Sequence, residues 1–192
     1  MQWPRWEIGP YVGIARHSPG GHRFGLTSDR DHLFVGLRAV LTLAASRRVA
    51  LGYAPEVVPL LLLSNNPTYG AFSTSDGQTI RFEEGHGLVA GMAVSPVGVE
   101  GKVRLGRQWQ GYGGAAMGVV WFTREVPGLY ARRFNFTLEC GGGLRWQYGS
   151  RSSLRFGYKF HHLSNADTAL ANPGVDGNVF IVGVDRTLGQ RR

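Results

Sequence analysis

Ser152-Ser153-Leu154-Arg155-Phe156-Gly157-Tyr158-Lys159-Phe160-His161-His162-Leu163-Ser164 is the stretch on which the reading of the fold turns. Leu154, Phe156, Tyr158 and Phe160 alternate with Ser153, Arg155 and Lys159, the period of two that gives a β-strand one apolar and one polar face. By the same count His162 and Ser164 fall on the apolar face and His161 on the polar one. A base and a hydroxyl at the end of an apolar face have no evident structural use. They mark a candidate catalytic site that meets lipid.

The same period recurs along the chain. Leu33, Val35, Leu37, Ala39, Leu41 and Leu43 oppose His32, Arg38 and Thr42, and Phe134, Phe136 and Leu138 oppose Asn135, Thr137 and Glu139. Eight strand segments are predicted, at 6–16, 32–44, 49–63, 87–105, 110–124, 133–147, 152–163 and 178–188, with no amphipathic helix between them. Each reaches the roughly 9–11 residues a tilted strand needs to cross a bilayer. Long connections (17–31, 64–86, 125–132, 164–177) alternate with tight turns near Ser46-Arg47, Gly106-Arg107-Gln108 and Gly149-Ser150. Long loops on one rim and short turns on the other predict an all-β fold: an eight-stranded antiparallel up-and-down transmembrane β-barrel of the bacterial outer-membrane type. Eight strands leave an interior that side chains fill, so no pore is expected. Gly9, Gly13, Gly52, Gly91, Gly113 and Gly157 are expected inside, with Arg38 and Arg155 pairing to Glu7 or Glu139. The alternative is a soluble lipid-binding barrel, with these polarities reversed.

Composition agrees. The 192 residues suit one domain spanning 1–192, and a charged content of 18 % is low for a soluble surface, where roughly 25–35 % is usual. The longest apolar run, 57–63, is interrupted by Pro59, which excludes a transmembrane helix. The net charge of +8 comes almost wholly from dispersed arginine. Without a basic run or a nucleic-acid fold signature, no nucleic acid is expected as a partner; arginine equally suits an anionic lipid headgroup. Cys140 is the only cysteine, so no internal disulfide forms, and it reads as a small strand residue. Met1-Gln2-Trp3-Pro4-Arg5-Trp6 lacks the apolar core of a signal peptide, so the signal is either already removed or the protein is not exported. No metal-ligand spacing, phosphate loop or dinucleotide fingerprint occurs, and no cofactor or metal is expected.

A serine hydroxyl is a poor nucleophile until an imidazole takes its proton, and the imidazole must itself be held in one tautomer by a carboxylate. Ser164, His162 and, across the last loop, Asp176 supply these types. Asn165, Asn172 or loop backbone amides could serve the oxyanion. The run His162-Leu163-Ser164-Asn165-Ala166, followed by Asn172-Pro173-Gly174 and Asp176, resembles the lipid A deacylases of the PagL type, the acyloxyacyl hydrolases. The resemblance implies an outer-membrane esterase acting on lipid A in lipopolysaccharide, with Ser164 as nucleophile, His162 as general base, Asp176 as acid and Asn172 in the oxyanion hole. Three features depart from that pattern. The family acid is commonly glutamate, the motif usually continues Ala-Gly where this chain has Ala166-Asp167, and the chain ends Leu188-Gly189-Gln190-Arg191-Arg192 rather than in an aromatic residue.

Tyr158 and Phe160 are expected to line the acyl chain, and Arg132 and Arg133 the headgroup. His17, His22, Arg23 and Arg30 in the first loop, with Arg124 in the third, read as a solvated rim or as further phosphate contacts. His161 is expected to face inward as a structural hydrogen-bonding residue. Trp3, Trp6, Trp109, Trp121, Trp146 and Tyr148 gather near strand ends, as interfacial girdles do. Monomer and homodimer are both compatible with the sequence, and the alternative to an enzyme is a non-catalytic outer-membrane barrel with a structural or adhesion role.

Overall fold

In a computed structural model, residues 3–20, 25–27, 29–65, 68–73, 79–84, 87–128 and 130–190 are described. These contain β1 (Pro4–Ala15), β2 (His32–Ala45), β3 (Val49–Tyr53), β4 (Glu56–Asn65), β5 (Thr68–Ser73), β6 (Thr79–Glu84), β7 (Gly87–Arg104), β8 (Trp109–Val126), β9 (Arg132–Gln147), β10 (Ser152–Ser164) and β11 (Val175–Gln190). Every neighbouring pair is antiparallel. The sheet runs β1, β11, β10, β9, β8, β7, then β3 and β4 together, then β2, which pairs back with β1. The result is a closed ring of eight staves, with β3 and β4 forming one stave end to end.

Two expectations about the chain's course are corrected. The segment expected as one strand at 49–63 breaks at Ala54-Pro55, because proline has no N–H to donate to the ladder. The ring stays bonded across the break: the Ala54 N–H donates to Gly98 O at 2.9 Å, and the Pro55 carbonyl accepts from the Ala39 N–H at 3.1 Å. A matching register shift in β7, between Val94 and Val97, accommodates Pro96. The connection expected as loop at 64–86 holds the β5–β6 hairpin, paired from Thr68 with Glu84 to Ser73 with Thr79. Its Thr, Tyr, Phe and Ile content favours strands.

Side chains follow the predicted alternation. Val12, Ile14, Val99, Met117, Phe180 and Val182 are among the large apolar groups exposed on the outer wall, where lipid replaces water. The inner wall carries charge in equal amounts: Arg38, Lys102, Arg145, Arg155 and Lys159 face Glu7, Glu56, Glu100, Glu139 and Asp185. The partners differ from those expected. Arg155 reaches Glu100 (2.9 Å) and Asp185 (3.0 Å), Arg38 reaches Glu100 (2.5 Å), and Glu7 is met by Lys102 and Arg145. Lys159 lies 2.9 Å from Glu56 and 3.0 Å from Glu139, and Tyr11 donates its hydroxyl proton to Glu56 at 2.5 Å. Buried charges are tolerable only when paired and hydrogen-bonded in this way, and a ring of eight staves forces them close enough to do so.

Gly113 is the exception among the expected inward glycines, since its position in β8 is exposed on the outer wall. Gly157 shows why an inner glycine is needed: a Cβ there would stand 2.0 Å from the Tyr112 hydroxyl, which donates to Phe156 O at 3.3 Å. The expected aromatic girdle also loses a member. Trp3 is only 4 % exposed and closes the barrel's short-turn end, with the Arg104 guanidinium 4.2 Å from its ring centroid.

Candidate active site

The outer wall of β10 carries Tyr158, Phe160, His162 and Ser164 in that order toward the long-loop rim. β11 begins immediately after Gly174 and runs in the reverse direction, and its register places Asp176 directly opposite His162. The Asp176 carboxylate meets His162 Nδ1 at 2.7 Å. That contact makes Nδ1 the protonated nitrogen of a neutral ring and leaves Nε2 as the basic one. Ser164 shares the wall two residues on, roughly 6.6 Å along the strand. Direct cross-strand pairing explains how an aspartate reaches the imidazole, because the shortest path across the ladder leaves no gap for an extra methylene to fill.

Asp176 is only 1 % exposed although its neighbours Asn178 and Phe180 on the same face are open. The first long loop covers it. The Leu26 N–H donates to Pro173 O at 2.6 Å, the Thr27 N–H to Gly174 O at 3.2 Å, and Thr27 forms a parallel bridge with Val175. Gly25 then lies against the carboxyl group: a Cβ at Gly25 would stand 2.7 Å from Asp176 Cγ and 2.9 Å from its backbone nitrogen. Sequence reasoning missed this strap. Residues 25–27 carry no periodicity, and their contact spans about 150 positions of chain.

The loop after Ser164 is stapled by its two asparagines. The Asn165 N–H donates to Asn172 Oδ1 at 2.8 Å, Asn165 Nδ2 donates to Ala171 O at 2.7 Å, and Asn172 Nδ2 donates to Asp167 Oδ1 at 3.0 Å. Ala166 and Asp167 both adopt left-handed backbone, with φ of 53° and 57°. Asp167 thus stands in a conformation that glycine adopts freely, and that aspartate accepts when its short side chain bonds locally.

The flanking candidates separate into two groups. Tyr158 and Phe160 run down the outer wall below His162, with the Tyr158 hydroxyl donating to Asn178 Oδ1 at 2.6 Å and its ring 5.8 Å from that of Phe180. On the other side Phe136 is paired with Ser164 and Leu138 with His162, so the site also has an apolar wall from β9. Arg132 and Arg133 line a rim cleft of about 680 Å³ with Trp121, Phe134 and residues 167–170. Arg132 Nε donates to Thr168 O at 2.7 Å, and Arg133 lies 3.5 Å from Glu125. In the first loop Arg30 departs from the expected solvated rim, being 6 % exposed, whereas His17 is exposed as expected and pairs with Asp29 at 2.6 Å. His22 and Arg23 lie outside the described residues, as do Arg191 and Arg192. His161 faces inward as expected, 1 % exposed, 3.5 Å from Glu139 and edge-on to Phe34 at 5.0 Å. Among the described residues no cluster of His, Cys, Asp or Glu is arranged to hold a metal ion.

The family model described as lipid A 3-O-deacylase (PagL) matches residues 62–185, from β4 through most of β11 and including His162, Ser164 and Asp176. The chain belongs to this family. No curated protein sequence matches it significantly. Among solved structures it is similar to the outer membrane enzyme PagL, with a TM-score of 0.59 at 14 % identity over 92 % of this chain and 97 % of that one. It is also similar to OprG of Pseudomonas aeruginosa (TM-score 0.56, 9 % identity, 98 % and 97 % covered) and to Neisserial surface protein A (0.55, 12 %, 95 % and 97 %). At these identities the likeness is one of fold, an antiparallel up-and-down barrel, and the location follows from the family together with the apolar outer wall. The protein is one of the bacterial outer membrane, with its apolar outer wall in the bilayer.

Proposed function

We propose that this family member is a serine esterase that hydrolyses an ester-linked acyl chain of lipid A, with Ser164 as nucleophile, His162 as general base and Asp176 as the orienting acid. The observation that carries the reading is the buried carboxylate at 2.7 Å from an imidazole on the lipid-facing wall, two residues from a serine. Buried carboxylates are expensive, and one that points at a histidine at the bilayer edge has catalysis as its simplest use.

His162 Nε2 takes the Ser164 proton as Oγ attacks the ester carbonyl. Asp176 holds the resulting imidazolium. The tetrahedral intermediate collapses, the carbon–oxygen bond to the sugar breaks, and the imidazolium returns its proton to the leaving hydroxyl. Water, deprotonated by His162, then attacks the acyl-serine; the carbon–oxygen bond to Ser164 breaks, the imidazolium returns the proton to Oγ, and the fatty acid leaves. Asn165 is 1 % exposed and donates into its own loop, so it serves as scaffold. Asn172 Nδ2 keeps a second hydrogen beside its bond to Asp167, and it is the oxyanion donor in this reading. The acyl chain lies in the bilayer between Tyr158 and Phe160 on one side and Phe136 and Leu138 on the other. Arg132 and Arg133 face the phosphorylated headgroup at the rim.

Ser164→Ala and His162→Ala should each abolish release of fatty acid from purified lipopolysaccharide, while the barrel keeps its heat-modifiable migration. Ser164 in the wild type should label with a fluorophosphonate. Activity at the wild-type level in either variant removes the assignment, and a folded wild type that neither labels nor deacylates is a non-catalytic barrel.

A further inference from the structure

The interior charges cancel, so the net charge of +8 belongs to the rims. It is not shared between them. By position in the sequence, the long connections and adjoining strand ends hold seven arginines and eight carboxylates, whereas the short turns and the chain ends hold nine arginines and no carboxylate outside the interior. At the long-loop rim two of the arginines have carboxylate partners, Arg16 with Asp31 and Arg133 with Glu125. At the short-turn rim Arg5, Arg47, Arg48, Arg107, Arg151 and Arg186 are exposed, and none has an ion pair among the described residues.

We infer that this rim is a collar that binds the phosphates of anionic phospholipids in the leaflet facing the periplasm. Three observations choose a lipid annulus over a protein partner. The arginines encircle the barrel, since each short turn carries at least one, as do the outer ends of β1 and β11. A single docked protein would need them on one side. Immediately toward the membrane lie Trp6, Trp109 and Tyr148, 39 %, 43 % and 50 % exposed, with Trp109 stacked on Trp146 at 6.3 Å. Such rings settle at the boundary between acyl chains and headgroups, which sets the guanidinium groups at phosphate height. The choice of arginine over lysine also fits, because the planar fork meets two phosphate oxygens at once.

The test uses the folded barrel in phosphatidylcholine bilayers doped with spin-labelled phosphatidylglycerol or spin-labelled phosphatidylcholine, reading the motionally restricted fraction of each label. Phosphatidylglycerol should be favoured by about fivefold at each arginine-bound position in low salt, and the preference should fall toward unity in molar salt. The combined variant Arg47→Gln, Arg48→Gln, Arg107→Gln, Arg151→Gln should lose most of the preference and keep wild-type deacylation in detergent. The pair Arg132→Gln, Arg133→Gln at the opposite rim should keep the preference. Equal association of the two labels with the wild type overturns the inference. So does a preference that survives the turn variant, or one that disappears in the rim pair instead. Should the combined variant fail to fold, Arg107→Gln and Arg151→Gln alone should each reduce the preference, and no reduction in either is a negative result.

Discussion

Asp176→Glu restores the residue common in the family, yet the geometry here predicts that it slows the enzyme. Asp176 already reaches His162 Nδ1 at 2.7 Å from the position directly across the ladder. One more methylene lengthens the side chain by about 1.5 Å, and the carboxylate must fold back to avoid the ring. The space it needs is occupied by the strap: even a Cβ at Gly25 would stand 2.7 Å from Cγ and 2.9 Å from Oδ1. Overpacking of this kind costs about 1–3 kcal/mol, and a misplacement of about 1 Å in a catalytic group costs roughly 100-fold. kcat for release of fatty acid from lipopolysaccharide should therefore fall about 10- to 100-fold in Asp176→Glu, with KM little changed. Asp176→Asn keeps the size but loses the charge that fixes the tautomer, and should fall further, by about 10⁴-fold. Rates are read by mass spectrometry of the lipid on protein confirmed folded by heat-modifiable migration. Wild-type or higher kcat in Asp176→Glu would refute the argument that direct pairing and the Gly25 contact set the acid's length.

Gly25→Ala should lower kcat about 10- to 100-fold with little change in KM, because the new methyl group meets the Asp176 backbone as well as its carboxyl; an unchanged kcat would show that the strap does not position the acid. Lys159→Met strands Glu56 and Glu139 without their shared cation, and should cost about 3–5 kcal/mol in urea unfolding of the barrel from lipid vesicles; a loss below about 1 kcal/mol would mean the carboxylates are otherwise satisfied. Gly157→Ala, which puts a Cβ 2.0 Å from the Tyr112 hydroxyl, should destabilise by about 1–3 kcal/mol in the same assay, whereas Gly106→Ala, with nothing within 4 Å, should be neutral; equal effects would undo the steric reading.

The alternation in the segments at 32–44, 133–147 and 152–163 was enough to read strands, their faces, and through the loop lengths an eight-staved ring. Each of those properties is local: a side chain's face depends only on its parity, and a turn's length only on its own residues. The placement of His162 and Ser164 on the lipid face followed from the same count. Parity fails where the ladder slips, and so the break at Ala54-Pro55 and the shift at Pro96 had to be seen in the folded ring. Ion partners escaped the sequence for a related reason. Arg155 is 30 positions from Asp185 and 55 from Glu100, and only closure of the ring chooses them over Glu7 or Glu139. The site divides in the same way. The residue types and their spacing belonged to the sequence, but the meeting of Asp176 with His162, the left-handed backbone at Asp167 and the covering of the carboxylate by Gly25 came from the register of β10 with β11 and the fold of the two loops. Local periodicity specifies which face a residue occupies; only long-range pairing determines what it meets there.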